Sequence, residues 1–154
     1  MPSAPTLPYN FVGYLDEPLA PITSAVKLII PSDGTKTTEL TYSQELGKYV
    51  LSKNSSNVKD LLCDSVCSYD NVFVLFTDAV TYETESATQT VYQTLSGGKG
   101  KYLTKGGYVN ISWNINSDGE MTFYDESGAK LTVNRGTSYI SFTKSSILQK
   151  IVIL

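Results

Sequence analysis

The sequence predicts an all-β domain, a mostly antiparallel sandwich or barrel-like meander with at most one short helix. Three observations carry this. Short runs rich in Val, Ile, Thr, Tyr and Phe recur along the chain, divided by Gly- and Asp-bearing turn signals. Tyr alone supplies 11 of the 154 residues. The stretch from Gly97 to Phe142 alternates turn pairs with strand-like runs, as successive hairpins do. A chain of this length buries roughly 70% of the surface it exposes when unfolded, so its core needs no disulfide.

The elements follow in order. Residues 1–24 hold five of the six prolines and read as an arm or linker, leaving 25–154 as one β domain. Tyr9, Phe11, Tyr14 and Leu15 are its candidate anchors. Strands are expected at 25–30, 39–43 and 48–52, with turns at Asp33-Gly34 and Leu46-Gly47. In SNVKDLLCDSVC, the spacing of Val58, Leu61, Leu62 and Val66 predicts a short helix near 57–67, capped by Asn57. Cys63 and Cys67 on such a helix stand about 6 Å apart at Cα, within disulfide reach. A bridge and two free thiols both stay open.

The run from Asn71 to Thr77 is continuously apolar, as in a strand buried on both faces. Residues 90–95 then begin the meander. Gly106-Gly107 reads as a two-residue hairpin loop. That register sets Tyr102 opposite Ile111 and Gly100 opposite Trp113, whose ring covers the strand glycine. Tyr102, Thr104, Val109, Ile111 and Trp113 then form a core-facing side, and Leu103 is misplaced. Trp113, Tyr102, Ile111, Val72, Val74 and Phe76 are expected to be buried. Further turns fall at Asp118-Gly119, Ser127-Gly128 and Asn134-Arg135-Gly136. Ile147–Leu154 reads as a last strand.

Several residues carry a resemblance: PYNF at 8–11, Val26 to Pro31, the Asn71-led strand, Gly98-Lys99-Gly100 with Tyr102, Trp113, Tyr124-Asp125 and Gly128, and Asn134-Arg135-Gly136-Thr137. From about Pro8 to Phe142 the chain resembles the carboxy-terminal domain of the YerB-like bacterial lipoproteins, a family defined by a domain of unknown function. Arg135 stands in place of a proline, and Tyr139 in place of a tryptophan. A family histidine ahead of the Asn-led strand has no counterpart. The resemblance implies an extracytoplasmic, lipid-anchored parent with a preceding domain, and no reaction. Met1 to Pro5 shows no secretion signal, so an exported form implies an excised or processed piece.

Composition narrows the chemistry. Residues 1–96 carry 5 Lys against 11 acids, and residues 97–154 carry 7 Lys or Arg against 4 acids, giving −6 and +3. This is too little positive charge for a nucleic-acid stripe, and no apolar run is long enough to span a bilayer. The chain contains no His, which removes histidine triads and histidine metal sites. The glycines match no phosphate loop. Asn114, Asn116, Asp118, Gly119 and Asp125 fit positions 1, 3, 5, 6 and 12 of a calcium loop, with Asn at the first position and Asp at the last as departures. A Ser-Asp-Gly-Glu turn explains the same residues. The acids near Cys63 and Cys67 raise a thiol pKa rather than lower it.

The expected function is therefore a non-catalytic extracytoplasmic module that takes no cofactor and binds a protein or a cell-wall polymer. Its candidate surface is Lys101, Lys105 and Tyr108, extended by Arg135, since cations beside aromatics suit anionic or sugar ligands. The alternative is an accessory domain of an envelope enzyme whose catalytic residues lie in a preceding domain.

Overall fold

Two packed sheets organise the protein. The computed structural model describes residues 6–31, 35–62, 64–92 and 97–154. The turn expected at Asp33-Gly34, the end of the 90–95 strand and Cys63 lie outside these residues.

The first sheet contains β7 (Asn71–Thr77), β10 (Gly98–Thr104), β11 (Gly107–Ile115), β12 (Met121–Tyr124) and β14 (Ser138–Lys144), in the order β12-β11-β10-β7-β14. The pairings are antiparallel except β14 on β7, which is parallel. The second sheet is antiparallel: β15 (Val152–Ile153), β2 (Lys27–Pro31), β3 (Thr37–Ser43), β4 (Lys48–Lys53) and β5 (Ser56–Asn57), with β6 (Ser68–Tyr69) also on β4. A parallel pair joins β1 (Asn10–Phe11) to β13 (Thr132–Val133), and β8 (Ala79–Glu83) and β9 (Thr88–Tyr92) form a separate ribbon.

The first sheet is buried on both faces along β7, which is apolar at every position from Val72 to Phe76. All seven residues of β7 are buried. Val72, Val74 and Phe76 meet Leu28, Ile30, Leu40, Tyr49 and Leu51 of the second sheet. Phe73 and Leu75 point the other way, into a second core with Tyr102, Ile111, Trp113, Phe123, Leu131 and Val133. Leu103 thereby finds its place: it faces the inter-sheet core, while Tyr102 faces the opposite one. All six residues expected to be buried are buried.

The β10–β11 hairpin differs from its predicted register. Thr104 pairs with Gly107, Tyr102 with Val109 and Gly98 with Trp113, so the loop is Lys105-Gly106. Both loop residues have positive φ, 49° and 77°, the geometry of the hairpin turn whose twist suits the strands. The slip is by two residues, so every side chain keeps its predicted face. Trp113 covers Gly98 instead of Gly100, and its ring Nε1 donates to the Lys99 carbonyl at 3.2 Å.

No helix forms at 57–67 among the described residues. The Asp60 carboxylate accepts the Leu62 N–H at 2.7 Å, while the Val58, Asp60 and Cys67 N–H groups donate to Leu51, Ser65 and Val58. The polar side chain has turned the backbone, and the ladder runs across the segment instead of along it. Val58 and Cys67 pack on the core, whereas Leu61 and Leu62 are 99% and 97% exposed at the tip. The choice between a Cys63–Cys67 bridge and two free thiols turns on Cys63, which lies outside the described residues. Among the described residues, the helical piece that forms is a 3-10 turn at Ser145–Lys150, which shortens the predicted last strand to Val152–Ile153.

Candidate functional site

Residues 6–24 lie along the open side of the second core. Tyr9 stacks on Phe73 and Phe123, and Val12 is buried with its N–H on the Val133 carbonyl at 2.9 Å. Tyr14 and Leu15, expected as anchors, are instead 88% and 94% exposed, and Phe11 is largely exposed. Val12 takes their role because the β1–β13 pairing points it inward.

A buried polar network holds this arm. The Tyr102 hydroxyl donates to Asn71 Oδ1 at 2.7 Å and accepts the Asn134 N–H at 3.0 Å. Asn71 Nδ2 donates to the Asn134 carbonyl at 2.7 Å. The Asn134 side chain then grips the arm, accepting the Leu19 N–H and donating to the Leu19 carbonyl, both at 2.7 Å. Burial pushes the Tyr102 hydroxyl up to about 12, although the Asn134 N–H opposes the shift. Asn71, Tyr102 and Asn134, three residues that carried the family resemblance, are thus one structural unit.

Between arm and sheet runs a groove of about 470 Å³. Leu19, Ala20 and Pro21 form one wall, and Tyr102, Val109 and Leu131 line its interior. Asn110, Asp125, Glu126, Ser127 and Thr132 supply its polar groups. Asp125 Oδ1 accepts the N–H and hydroxyl of Ser127 and the N–H of Ala129, with the Ser127 hydroxyl foremost in holding this carboxyl below its usual range. Glu126 projects from the same turn and accepts from Asn110 Nδ2 at 3.2 Å.

The four surface residues singled out by sequence fall into two pairs. Lys101 Nζ sits 4.6 Å over the Tyr108 ring and donates to Asn110 Oδ1 at 2.7 Å. Burial lowers its pKa, and Glu126 partly restores it. Lys105 and Arg135 line a second hollow of about 210 Å³ with Tyr14 and Asp16. Arg135 is engaged there with the arm, donating through Nε and a terminal nitrogen to the Val12 carbonyl, both at 3.0 Å, and stacking 4.7 Å from the Tyr14 ring.

The calcium-loop residues are not assembled. Asn116 Oδ1 accepts the N–H groups of Asp118 and Glu120, closing its own turn. Asp125 closes the next turn, and all of β12 extends between them. Asn114 lies within β11, opposite Thr122. The described residues contain no group of three metal-ligating side chains.

The groove escaped the sequence because it joins segments at 19–21, 109–110 and 125–132. Its one local signal was the placement of the Ser127-Gly128 turn.

Comparison with known proteins agrees with this architecture. Among curated proteins, none matches. The crystal structure of the YerB protein from Bacillus subtilis superposes with a TM-score of 0.69 at 17% sequence identity, over 89% of this chain and 46% of that one. The likeness is one of fold, and this chain spans under half the length of YerB. The family model described as "Protein of unknown function (DUF3048) C-terminal domain" matches residues 28–140. The chain therefore belongs to the DUF3048 C-terminal domain family.

Proposed function

We propose that this domain is a non-catalytic extracytoplasmic binding module of a bacterial lipoprotein, and that it binds its partner in the groove beneath the arm. The observation that carries the reading is the groove itself: apolar inside, polar at its rim, and framed by a buried network that holds the arm in place. The acids at the rim suit recognition better than proton transfer. Asp125 is held ionised by its turn, the opposite of what a general acid requires. The Lys101 and Tyr108 surface favoured by the sequence is less suitable, because those side chains already contact each other and Asn110.

A second reading draws on the length of YerB, of which this chain matches 46%. The domain then serves as an accessory to an envelope enzyme whose catalytic residues lie in a preceding domain.

The test is retention of cell-envelope components by the immobilised domain and by its Thr132→Trp variant. Thr132 is exposed on the groove, so the indole fills the groove without entering a core. Components held by the wild type and lost from the variant support the first reading. Equal retention by both contradicts it. Turnover of peptidoglycan fragments by the longer protein, absent from this domain, supports the second.

A further inference from the structure

Among the described residues, the edge of β11 is left open at one place. On its outer side β12 pairs only with Ser112–Ile115. At the other end the arm closes the edge, with Ser24 bridged to Gly107 and the Tyr108 N–H donating to the Thr23 carbonyl at 2.9 Å. Backbone groups alternate along a strand, so the direction fixed by Tyr108 also turns the N–H and C=O of Asn110 outward. Neither neighbour closes this gap. Pro21, on the arm side of the groove, has no N–H to give. Asp125, on the other side, donates its N–H back to Ala129 at 2.9 Å. Asn110 is exposed and lines the groove.

Beside this opening lie Val109 and Leu131, which suit an apolar side chain, and the exposed Glu126, which suits a cationic one. Lys101 stands across Asn110 from Glu126, held over Tyr108. The acidic residues at the groove are therefore Asp125, fixed in its turn, and Glu126 at the rim.

Taking the groove to be the binding site, we infer that its ligand is a short extended segment of a protein partner. The residue of that segment that adds to the β11 edge at Asn110 is a Lys or Arg, whose side chain shares the Asn110 face and reaches Glu126, and a neighbouring apolar side chain turns to the other face and enters between Val109 and Leu131. Backbone pairing supplies the fit and side-chain pockets the selectivity, as in other strand-addition sites. A single-residue opening predicts weak, short-motif recognition in place of a long augmented strand.

The experiment maps amide shifts of the ¹⁵N-labelled domain during titration with four probes. These are acetyl-Lys-Val-Lys methylamide, the same peptide N-methylated at both Lys residues, acetyl-Glu-Val-Glu methylamide, and peptidoglycan glycan strands stripped of peptide. The Lys peptide is expected to shift the amides of Asn110, Glu126 and Ser127 at millimolar concentration. The N-methyl and Glu peptides should bind about tenfold more weakly. Glu126→Gln should reduce the Lys-over-Glu preference to about threefold or less while leaving the thermal midpoint unchanged. Equal binding of the N-methylated peptide overturns strand addition. Equal binding of the Lys and Glu peptides overturns the charge assignment. Groove shifts caused by glycan strands and not by the Lys peptide overturn the peptide inference and leave the groove as a binding site. Silence from all four probes overturns the inference, while the Thr132→Trp retention experiment judges the binding site separately.

Discussion

The Tyr102 hydroxyl donates to Asn71 Oδ1 at 2.7 Å, joining β10 and β7, neighbouring inner strands of the first sheet, through side chains that are 1% and 0% exposed. Residue Phe73, not Asn71, is the backbone partner of Tyr102, so this bond crosses the ladder diagonally. It completes the pairing of Asn134, because the hydroxyl that donates to Asn71 also accepts the Asn134 N–H.

Removing either member leaves buried polar groups without partners. Tyr102→Phe and Asn71→Ala are each expected to destabilise the domain by about 1–3 kcal/mol. The double variant should lose less than the sum, since each substitution already breaks the shared bond. Urea melts of the four proteins check this. Additive losses would show that the two residues act independently.

Alkaline stability follows from the same hydroxyl. Burial raises the Tyr102 pKa from 10.0 to about 12 in the folded state. The folded form thus retains its proton where the unfolded form releases it. The stabilising contribution is complete below pH 10 and is lost as pH rises toward 12, on the order of 2–3 kcal/mol in all. Tyr49 and Tyr139 are raised too, chiefly by burial, and add to the loss. Denaturation midpoints between pH 9 and 12 should fall for the wild type and fall less steeply for Tyr102→Phe (~one proton fewer). Parallel curves would contradict the assignment.

The hairpin turn makes a prediction of opposite sign. Lys105 holds φ 49° without being glycine. Lys105→Asn should stabilise the domain by about 0.5–1 kcal/mol, because Asn tolerates that conformation better. Trp113→Ala should cost about 3–5 kcal/mol through the cavity it leaves. Chemical denaturation measures both. A destabilised Lys105→Asn variant would mean that the Lys105 side chain contributes more than its backbone costs.

Much of the fold was legible in the residues and some of it was not. The apolar run of β7, the turns at Leu46-Gly47, Asp118-Gly119 and Ser127-Gly128, and the division of the β10–β11 strand residues between two faces followed from pattern. The hairpin register did not, because Lys105-Gly106 and Gly106-Gly107 offer adjacent two-residue loops, and a slip of two preserves the faces. The helix at 57–67 failed because Val58, Leu61 and Leu62 suggested one period while Asp60 offered the backbone a turn. The surface of Lys101, Lys105, Tyr108 and Arg135 was chosen by chemical type. Their neighbours in space, Asn110 for Lys101 and Val12 for Arg135, come from remote or cross-strand positions. The groove was illegible for the same reason.

The arm is expected to loosen when its buried grip is removed. Asn134→Ala deletes both bonds to Leu19 and one to Thr104. Protease cleavage within residues 13–22 should then accelerate about tenfold, whereas Arg135→Ala, an exposed contact, should change it by less. Unchanged cleavage of the Asn134 variant would mean that β1 and Tyr9 hold the arm without Leu19.

Hydrogen–deuterium exchange of the domain, with and without the envelope fraction it retains, shows where a partner sits. Binding in the groove predicts slowed exchange at residues 109–111 and 125–129, with the 45–53 strand and turn unchanged. Protection confined to the Lys101–Tyr108 side, or no protection on a fraction that is retained, would contradict a binding site beneath the arm.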